Sequence, residues 1–268
     1  MVLLLRVDVD NAYTPIGNTS IVRKMKLILN YLNENYWAPH IEFLGYNEAF
    51  LRLINDMHER GIRASIFFKY ITLPNKRTID FLHDEGFDVG MHILSAKNYD
   101  EFLKEKKYIE KKIKTRIYGF SKHGDGLKKL SRKHAWRYEP EKYIKWGIRS
   151  GLKYFSGNKH DIITDVVLFN DFCFLPKVFY IEPYMRRIKA TVEEAIDYVN
   201  SGYVVVALVH PRNYVLRDDV KRDFEKLISK ADKILTLKEY VEHKLGRRNL
   251  FTSVKQGSII ERWMRNTG

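Results

Sequence analysis

The chain has 268 residues, of which 45% are hydrophobic, so it can form one large α/β domain or two small ones. No run approaches about 18 uncharged apolar residues, and the amino terminus lacks the charged, apolar and small-residue regions of a signal peptide. We therefore expect no membrane span and a cytoplasmic location. The one cysteine, Cys173, excludes an intramolecular disulfide and any metal site built from several cysteines.

The formal net charge is +14, which predicts attraction to anionic molecules. Lysine and arginine are, however, scattered along the predicted helices 104–114 and 221–233, where they are mixed with glutamate and aspartate. This mixture is typical of solvated helix faces. We therefore do not expect nucleic acid to be a partner.

The first predicted element is a strand in the stretch Leu3–Asn11, whose apolar residues form a nearly continuous run, as in strands buried on both faces. Because strand side chains alternate, Asp8 and Asp10 point to the same side, about 6 to 7 Å apart, and could share one metal ion or one water molecule. The alternative is that Asp10 and Asn11 only form a turn and that Asp8 lies there by chance.

The second predicted element is an amphipathic helix over 21–36, with a cap at Thr19 and Ser20. Its apolar positions are Met25, Ile28, Leu29 and Leu32. Further helices are predicted at 47–60, 75–85, 98–114, 139–150, 191–200, 218–231 and 237–245, and further strands at 63–68, 87–92, 115–120, 153–155, 203–209 and 234–236. The pattern of the segment 161–183 indicates either two or three short strands or an excursion from the regular alternation of strand and helix.

This alternation of strand and helix indicates a parallel sheet with helical crossovers. We predict the α/β class, with a single distorted (β/α) barrel of six to eight parallel strands over residues 1–245. Residues 246–268 are predicted to form a basic, loosely attached tail.

Four predicted strands present aspartate or histidine at or just beyond their carboxyl ends, where the sites of α/β barrels are built. These residues are Asp8, Asp10, His92, His123 and His210. Carboxylate oxygen and imidazole nitrogen are ligands of zinc and related divalent ions, which activate a bound water. A free carboxylate could accept the proton of that water, and a histidine could protonate the leaving group. The residues therefore permit metal-assisted hydrolysis.

Four segments together resemble the NodB-like polysaccharide deacetylases (carbohydrate esterase family four) in order and approximate spacing. The first is 7–10, which reads Val7-Asp8-Val9-Asp10. The others are 64–68, 86–92 and 206–211, in the later predicted strands. The resemblance implies a distorted (β/α) barrel that hydrolyses acetyl groups of sugars with a divalent metal, most simply zinc. It also implies that Asp8 is the base, that Asp10 and His92 bind the metal, and that His210 is the acid.

Two segments depart from that family. No histidine follows His92 where the second metal histidine of the family usually lies, and Gly119-Phe120-Ser121-Lys122-His123-Gly124 replaces the Arg-x-Pro motif. Either His123 fills the vacant metal position or the metal is lost. The segments 121–124 and 134–140 are similar to a divergent branch that includes WbmS-like proteins of surface-polysaccharide gene clusters. Lys122, Trp136 and Arg137 are the predicted substrate-binding residues.

Two functions remain open at this point. The first is a metal-dependent hydrolase that deacetylates an N-acetylated sugar or a glycan precursor, so that its partner is a carbohydrate substrate. The second is a catalytically silent barrel that binds a glycan or another anionic molecule. In that case Tyr13, Trp37 and Trp136 would supply stacking surfaces.

Overall fold

Seven parallel strands of the computed structural model close into a barrel, and two further strands extend the sheet. The structure describes residues 2–249 except 17–18, 38–39, 96, 125–131 and 133–137. Within those residues the strands are β1 (Val2–Val9), β2 (Ser65–Phe68), β3 (Asp88–Ile93), β4 (Gly119–Lys122), β5 (Tyr154–His160), β6 (Val167–Phe169), β7 (Phe172–Tyr180), β8 (Val204–Val209) and β9 (Ile234–Leu235).

The barrel runs from β1 through β2, β3, β4, β5, β7 and β8 back to β1, with parallel pairing at every step. One edge of β1 is shared, because β2 pairs with Arg6 to Val9 while β9 pairs with Leu3 and Leu4. β6 pairs antiparallel with β7 and lies outside the ring. The prediction of a (β/α) barrel with six to eight parallel strands is therefore confirmed.

The described α-helices cover the crossovers between strands. They are α1 (Ser20–Asn35), α2 (Glu48–Glu59), α3 (Lys76–Asp84), α4 (Tyr99–Ile113), α5 (Pro140–Arg149), α6 (Val192–Asn200), α7 (Pro211–Leu216), α8 (Asp218–Lys230) and α9 (Leu237–Asn249). None of them has the length and apolar content needed to cross a lipid bilayer. α9 extends into the segment predicted as a tail, and residues 250–268 lie outside the described part, so the division into a barrel and a tail stays a prediction.

Side-chain alternation along the strands divides the core into two layers. Leu3, Leu5 and Val7 of β1 face outward and join the large apolar core between the sheet and the helices. Leu4 faces the barrel interior, where Leu237, Tyr240 and Val241 of α9 close the amino-terminal end of the barrel. The next inward positions of β1 are Arg6 and Asp8, so the interior becomes polar toward the carboxyl ends of the strands.

Two glycines on neighbouring strands make room for aromatic rings inside the barrel. A Cβ at Gly119 would overlap the ring of Tyr154, and a Cβ at Gly90 would overlap the ring of Phe67. The Arg6 guanidinium carbon lies 5.6 Å from the centroid of the Phe67 ring. The rings therefore form a floor beneath the polar part of the interior, and the site is built above that floor.

α1 does not pack as its sequence pattern predicts. Its buried side chains are polar, namely Lys26, Asn30 and Asn33. Asn30 exchanges hydrogen bonds with the main chain of Tyr13, whereas Met25 and Ile28 are 43% and 58% exposed. Thr19 occupies the N-cap position but makes no capping hydrogen bond through its side chain. Of the predicted apolar positions, Met25 and Ile28 are thus turned toward solvent. Leu29 and Leu32 are half-buried, and Leu29 packs against the buried cluster around Tyr13.

Asp88, at the start of β3, is a buried carboxylate that lies inside the barrel beside the aromatic floor. It accepts a hydrogen bond from Ser65 Oγ at 2.6 Å and another from the hydroxyl of Tyr154. Burial raises the pKa of Asp88 above its usual value, although these hydrogen bonds oppose the change. Ionisation of Asp88 therefore costs the folded state more than the unfolded chain.

We predict that Asp88→Asn becomes more stable relative to the wild type as the pH rises. Below the ordinary pKa of an aspartate, about 4, both states of the wild type hold the proton and there is no penalty. As the pH rises from there through the higher pKa of the folded state, the wild type loses about 1.4 kcal/mol of stability for every tenfold fall in proton concentration, whereas the amide loses nothing. Urea unfolding across this range measures the difference, and Asp84→Asn, at an exposed position of α3, is the control. Parallel stability curves for Asp88→Asn and the wild type would contradict the prediction.

Candidate metal centre

Three side chains converge at the mouth of the barrel. Asp10 follows β1, His92 lies near the end of β3, and His123 follows β4. Asp10 Oδ1 is 2.9 Å from His123 Nδ1 and 3.1 Å from His92 Nε2, and the two ring nitrogens are 3.3 Å apart. The three side chains form a group that could hold a metal ion, since their ligand atoms lie within 4.8 Å of one another.

The chemistry of these donors fits a divalent cation. Asp10 Oδ1 is buried, and an imidazole nitrogen of each histidine lies within 3.1 Å of it. Burial opposes its ionisation, but His123 and Lys69 hold the pKa of Asp10 well below its usual range. His92 Nδ1 lies 2.6 Å from Ser121 Oγ, so that its other nitrogen faces Asp10 and His123. The group therefore offers one carboxylate and two imidazoles to a common point.

A buried lysine at the end of β2 also points into this group. Lys69 Nζ lies 3.2 Å from His123 Nε2, 3.0 Å from Glu34 Oε1 and 2.9 Å from the main-chain oxygen of Asp10. Burial lowers the pKa of His123 to about 4, so the imidazole is neutral at pH 7. An ammonium can only donate, so Nε2 of His123 accepts and the ring proton stands on Nδ1, the nitrogen that faces Asp10. The contact with Lys69 therefore keeps a proton on the His123 nitrogen that a metal ion would need, so Lys69 and a metal ion would compete for this imidazole.

Asp8 lies deeper, in the polar layer of the barrel interior. The residue is 2% exposed, and its carboxylate accepts two hydrogen bonds from Arg6, from Nε at 2.9 Å and from a terminal nitrogen at 2.6 Å. Burial opposes ionisation, but the Arg6 guanidinium holds the pKa of Asp8 below its usual value. Asp8 Oδ2 lies 3.7 Å from His92 Nδ1, whereas the other nitrogen of this ring, Nε2, faces Asp10.

His210, at the end of β8, lies opposite the two histidines of the group. Its Nε2 is 3.5 Å from Asp10 Oδ2, and its Nδ1 is 2.9 Å from Oε1 of the fully buried Glu182. The same Glu182 oxygen accepts the main-chain N–H of His210 at 2.7 Å. Burial alone would lower the pKa of His210, but Glu182 and the two aspartates raise it to about 9. The ring is therefore held in one orientation and carries a proton at neutral pH.

The structure brings all five strand-end residues of the sequence prediction to one place, and their individual roles stay predictions. Lys122 is buried, and its ammonium donates to the main-chain oxygens of His123 and Gly124. Trp136 and Arg137 lie outside the described residues. Sequence reasoning missed Lys69 and Glu182. Lys69 directly follows a predicted strand, so the same strand-end rule could have found it, whereas Glu182 lies in a segment whose pattern was ambiguous.

The fold and the site together define a closed (β/α) barrel with a candidate metal centre at its mouth. No family model matches the chain, and no curated protein matches it. The crystal structure of Puue allantoinase matches with a TM-score of 0.57 and 10% identity, covering 94% of this chain and 92% of that chain. A putative polysaccharide deacetylase from Mycobacterium smegmatis matches with a TM-score of 0.56 and 13% identity, covering 96% and 94%.

A 4-alpha-glucanotransferase from Thermococcus litoralis also matches, with a TM-score of 0.51 and 12% identity, over 90% of this chain and 38% of that chain. At these identities the similarity establishes a shared fold. The predicted likeness to polysaccharide deacetylases therefore holds at the level of the fold.

We predict that Lys69→Met binds a divalent metal more tightly than the wild type does. A unit positive charge about 4 Å from another charge contributes about 4 kcal/mol at an effective dielectric constant of about 20, so its removal should tighten the dissociation constant at least about tenfold. Calorimetric titration with Zn²⁺ measures the change. Lys26→Met is the matched control, because Lys26 is a buried lysine that pairs with Glu48 instead. An unchanged or weaker affinity in Lys69→Met would show that the ammonium supports the donor group and does not compete with the metal.

Proposed function

We propose that the protein is a metal-dependent hydrolase that removes the acetyl group from an N-acetylated sugar or a related glycan precursor, with zinc as its metal. The observation that carries this proposal is the convergence of Asp10, His92 and His123, with a protonated histidine on the opposite side of the same carboxylate. Fold similarity to a putative polysaccharide deacetylase and the sequence resemblance described above support the choice of substrate class.

Asp10, His92 and His123 would hold the metal in this proposal. When bound, a divalent cation lowers the pKa of a water molecule and polarises a carbonyl group, which is the chemistry that amide hydrolysis requires. His123 must then present Nδ1 without its proton, so the contact between its Nε2 and Lys69 has to change when the metal binds. Ser121 keeps the His92 ring oriented throughout.

His210 acts as the general acid in this mechanism. Its Nε2 faces the site and its Nδ1 is fixed by Glu182, so the proton that it can donate points toward the leaving amine. Asp8 acts as the general base and accepts the proton of the attacking water. Its pair with Arg6 keeps the carboxylate ionised, and its Oδ2 lies 3.7 Å from Nδ1 of His92.

We predict that His92→Ala loses both metal and activity. The substitution removes one of three ligands, so metal affinity should fall by about 10²-fold or more. The assay follows the release of acetate from oligomers of N-acetylglucosamine by zinc-loaded protein, in parallel with metal analysis. His83→Ala, an exposed histidine on α3, is the control and should behave like the wild type. Full activity in metal-depleted wild type would overturn the proposed function.

We predict that Asp8→Asn keeps the metal but loses turnover by orders of magnitude, because the amide cannot accept a proton. The variant also leaves Arg6 without its counter-charge, which should lower the stability of the fold by about 3 to 5 kcal/mol. Turnover and metal affinity are therefore compared at a temperature at which both proteins are folded, as judged by circular dichroism.

Two outcomes of this experiment would reassign Asp8. Turnover near that of the wild type would exclude a role as the base. A parallel loss of metal affinity would instead make Asp8 a positioning residue that acts on His92 through their 3.7 Å contact.

The second candidate function is a catalytically silent barrel that binds a glycan, and the position of Lys69 favours it. If the ammonium of Lys69 permanently replaces the cation, the acceptors of Asp10 and His123 are satisfied without metal. Of the predicted stacking residues, Trp37 is 74% exposed, Tyr13 is buried, and Trp136 lies outside the described residues. Absence of metal after loading, together with measurable binding of N-acetylglucosamine oligomers, would select this candidate.

A further inference from the structure

The surface of α1 carries a concentration of exposed apolar side chains. Of the fifteen large hydrophobic residues that are exposed in the described part of the chain, nine lie between residues 21 and 51. The α1 surface, as we use the term, consists of Ile21, Met25, Leu27, Ile28 and Tyr31. Ile21, Met25 and Ile28 follow the spacing of one helical face. Such a concentration on one helix marks an interaction site, because monomers rarely expose large apolar patches.

The inner side of α1 explains why this face points outward. Lys26 pairs with Glu48, Asn33 donates to the main-chain oxygen of Ile71, and Glu34 accepts from Lys69. These polar contacts fix the rotation of the helix on the loops at the mouth of the barrel. Turning the apolar face inward would break them and bury unpaired polar groups.

The charges on α1 indicate the kind of partner. Arg23 and Lys24 are exposed, whereas Glu34, the only acidic residue of α1, is bound to Lys69. A second copy of the chain packed symmetrically on the α1 surface would bring these positive charges of both copies together without an acidic partner from the helix. The overall charge of +14 has the same sign. An anionic partner therefore matches this face better than another copy of the protein does.

Exposed aromatic side chains also occur in the segment that follows α1. Tyr36 and Trp37 are 54% and 74% exposed, and Phe43, in the short helical turn Glu42–Leu44, is 88% exposed. Tyrosine and tryptophan prefer the headgroup level of a bilayer, and aliphatic side chains with nearby lysine and arginine are typical of helices that lie in the plane of an anionic membrane surface.

We propose that α1 docks the protein on the surface of an anionic lipid bilayer. Ile21, Met25 and Ile28 enter the lipid, and Arg23 and Lys24 contact anionic headgroups. Because Glu34, on the inner side of the same helix, contacts Lys69, docking places the mouth of the barrel about one helix diameter, roughly 10 Å, from the headgroup layer. This inference is independent of the proposed hydrolase function, since it depends on α1 and not on the metal ligands.

The test measures co-flotation of the full chain with vesicles of phosphatidylcholine, with and without phosphatidylglycerol. We expect binding to the vesicles that contain phosphatidylglycerol and weakening by salt, because the attraction is partly electrostatic. Ile28→Glu should weaken this binding at least about tenfold, because it places a charge in the apolar face. Ile148→Glu, the same substitution at a site on α5 that is 46% exposed, should bind like the wild type. Arg23→Gln combined with Lys24→Gln should weaken binding to the anionic vesicles alone.

Three results would overturn the proposal. The first is no flotation of the wild type with anionic vesicles, and the second is equal binding by Ile28→Glu and the wild type. The third is a wild-type dimer in sedimentation equilibrium that Ile28→Glu dissociates, which would make a second copy the occupant of the α1 surface. Metal content is measured on each variant after zinc loading, and a protein that stays metal-free but still floats would contradict the hydrolase function while leaving membrane docking intact.

Discussion

The ion pair between Arg6 and Asp8 in the barrel interior is the interaction on which the rest of the site depends. Arg6 is fully buried, and besides Asp8 it bonds Ser156, the carbonyl of Gly157 and the side chain of Asn158, so it ties β1 to β5 across the interior. Breaking such a pair leaves an unpaired buried charge, which costs about 3 to 5 kcal/mol. The same pair that holds the two strands together thus fixes the carboxylate that stands beside His92.

Charge is balanced in two layers above the aromatic floor. In the lower layer Arg6 neutralises Asp8, and in the upper layer Asp10 faces a neutral His123, a protonated His210 and the ammonium of Lys69. Glu182 and Glu34 supply the counter-charges of His210 and Lys69. A divalent metal adds positive charge to a layer that already contains two cations. Metal binding would therefore depend on how far Lys69 withdraws from His123.

Much of this arrangement could be predicted from the sequence, because parallel strands place their carboxyl ends at one mouth and the chemistry-bearing residues follow the strands directly. That rule brought Asp10, His92, His123 and His210 together. Helical periodicity was a poorer guide to α1. It shows that one face of the helix is apolar but not which way that face turns, and the polar contacts of Asn30 and Asn33 decide the rotation. The partner of Asp8 was also missed, although the alternation of strand side chains places Arg6, two positions earlier, on the same strand face.

The central claim is that Asp10, His92 and His123 bind one divalent metal. His123 follows β4, whereas the sequence resemblance to polysaccharide deacetylases predicts a second metal histidine shortly after His92. X-ray absorption spectroscopy of the zinc-loaded protein tests it most directly, because the method counts the imidazole ligands of the metal. The account predicts two imidazoles in the wild type and one in His123→Ala. A count that His123→Ala leaves unchanged would contradict it, since His123 would then stand outside the metal's coordination.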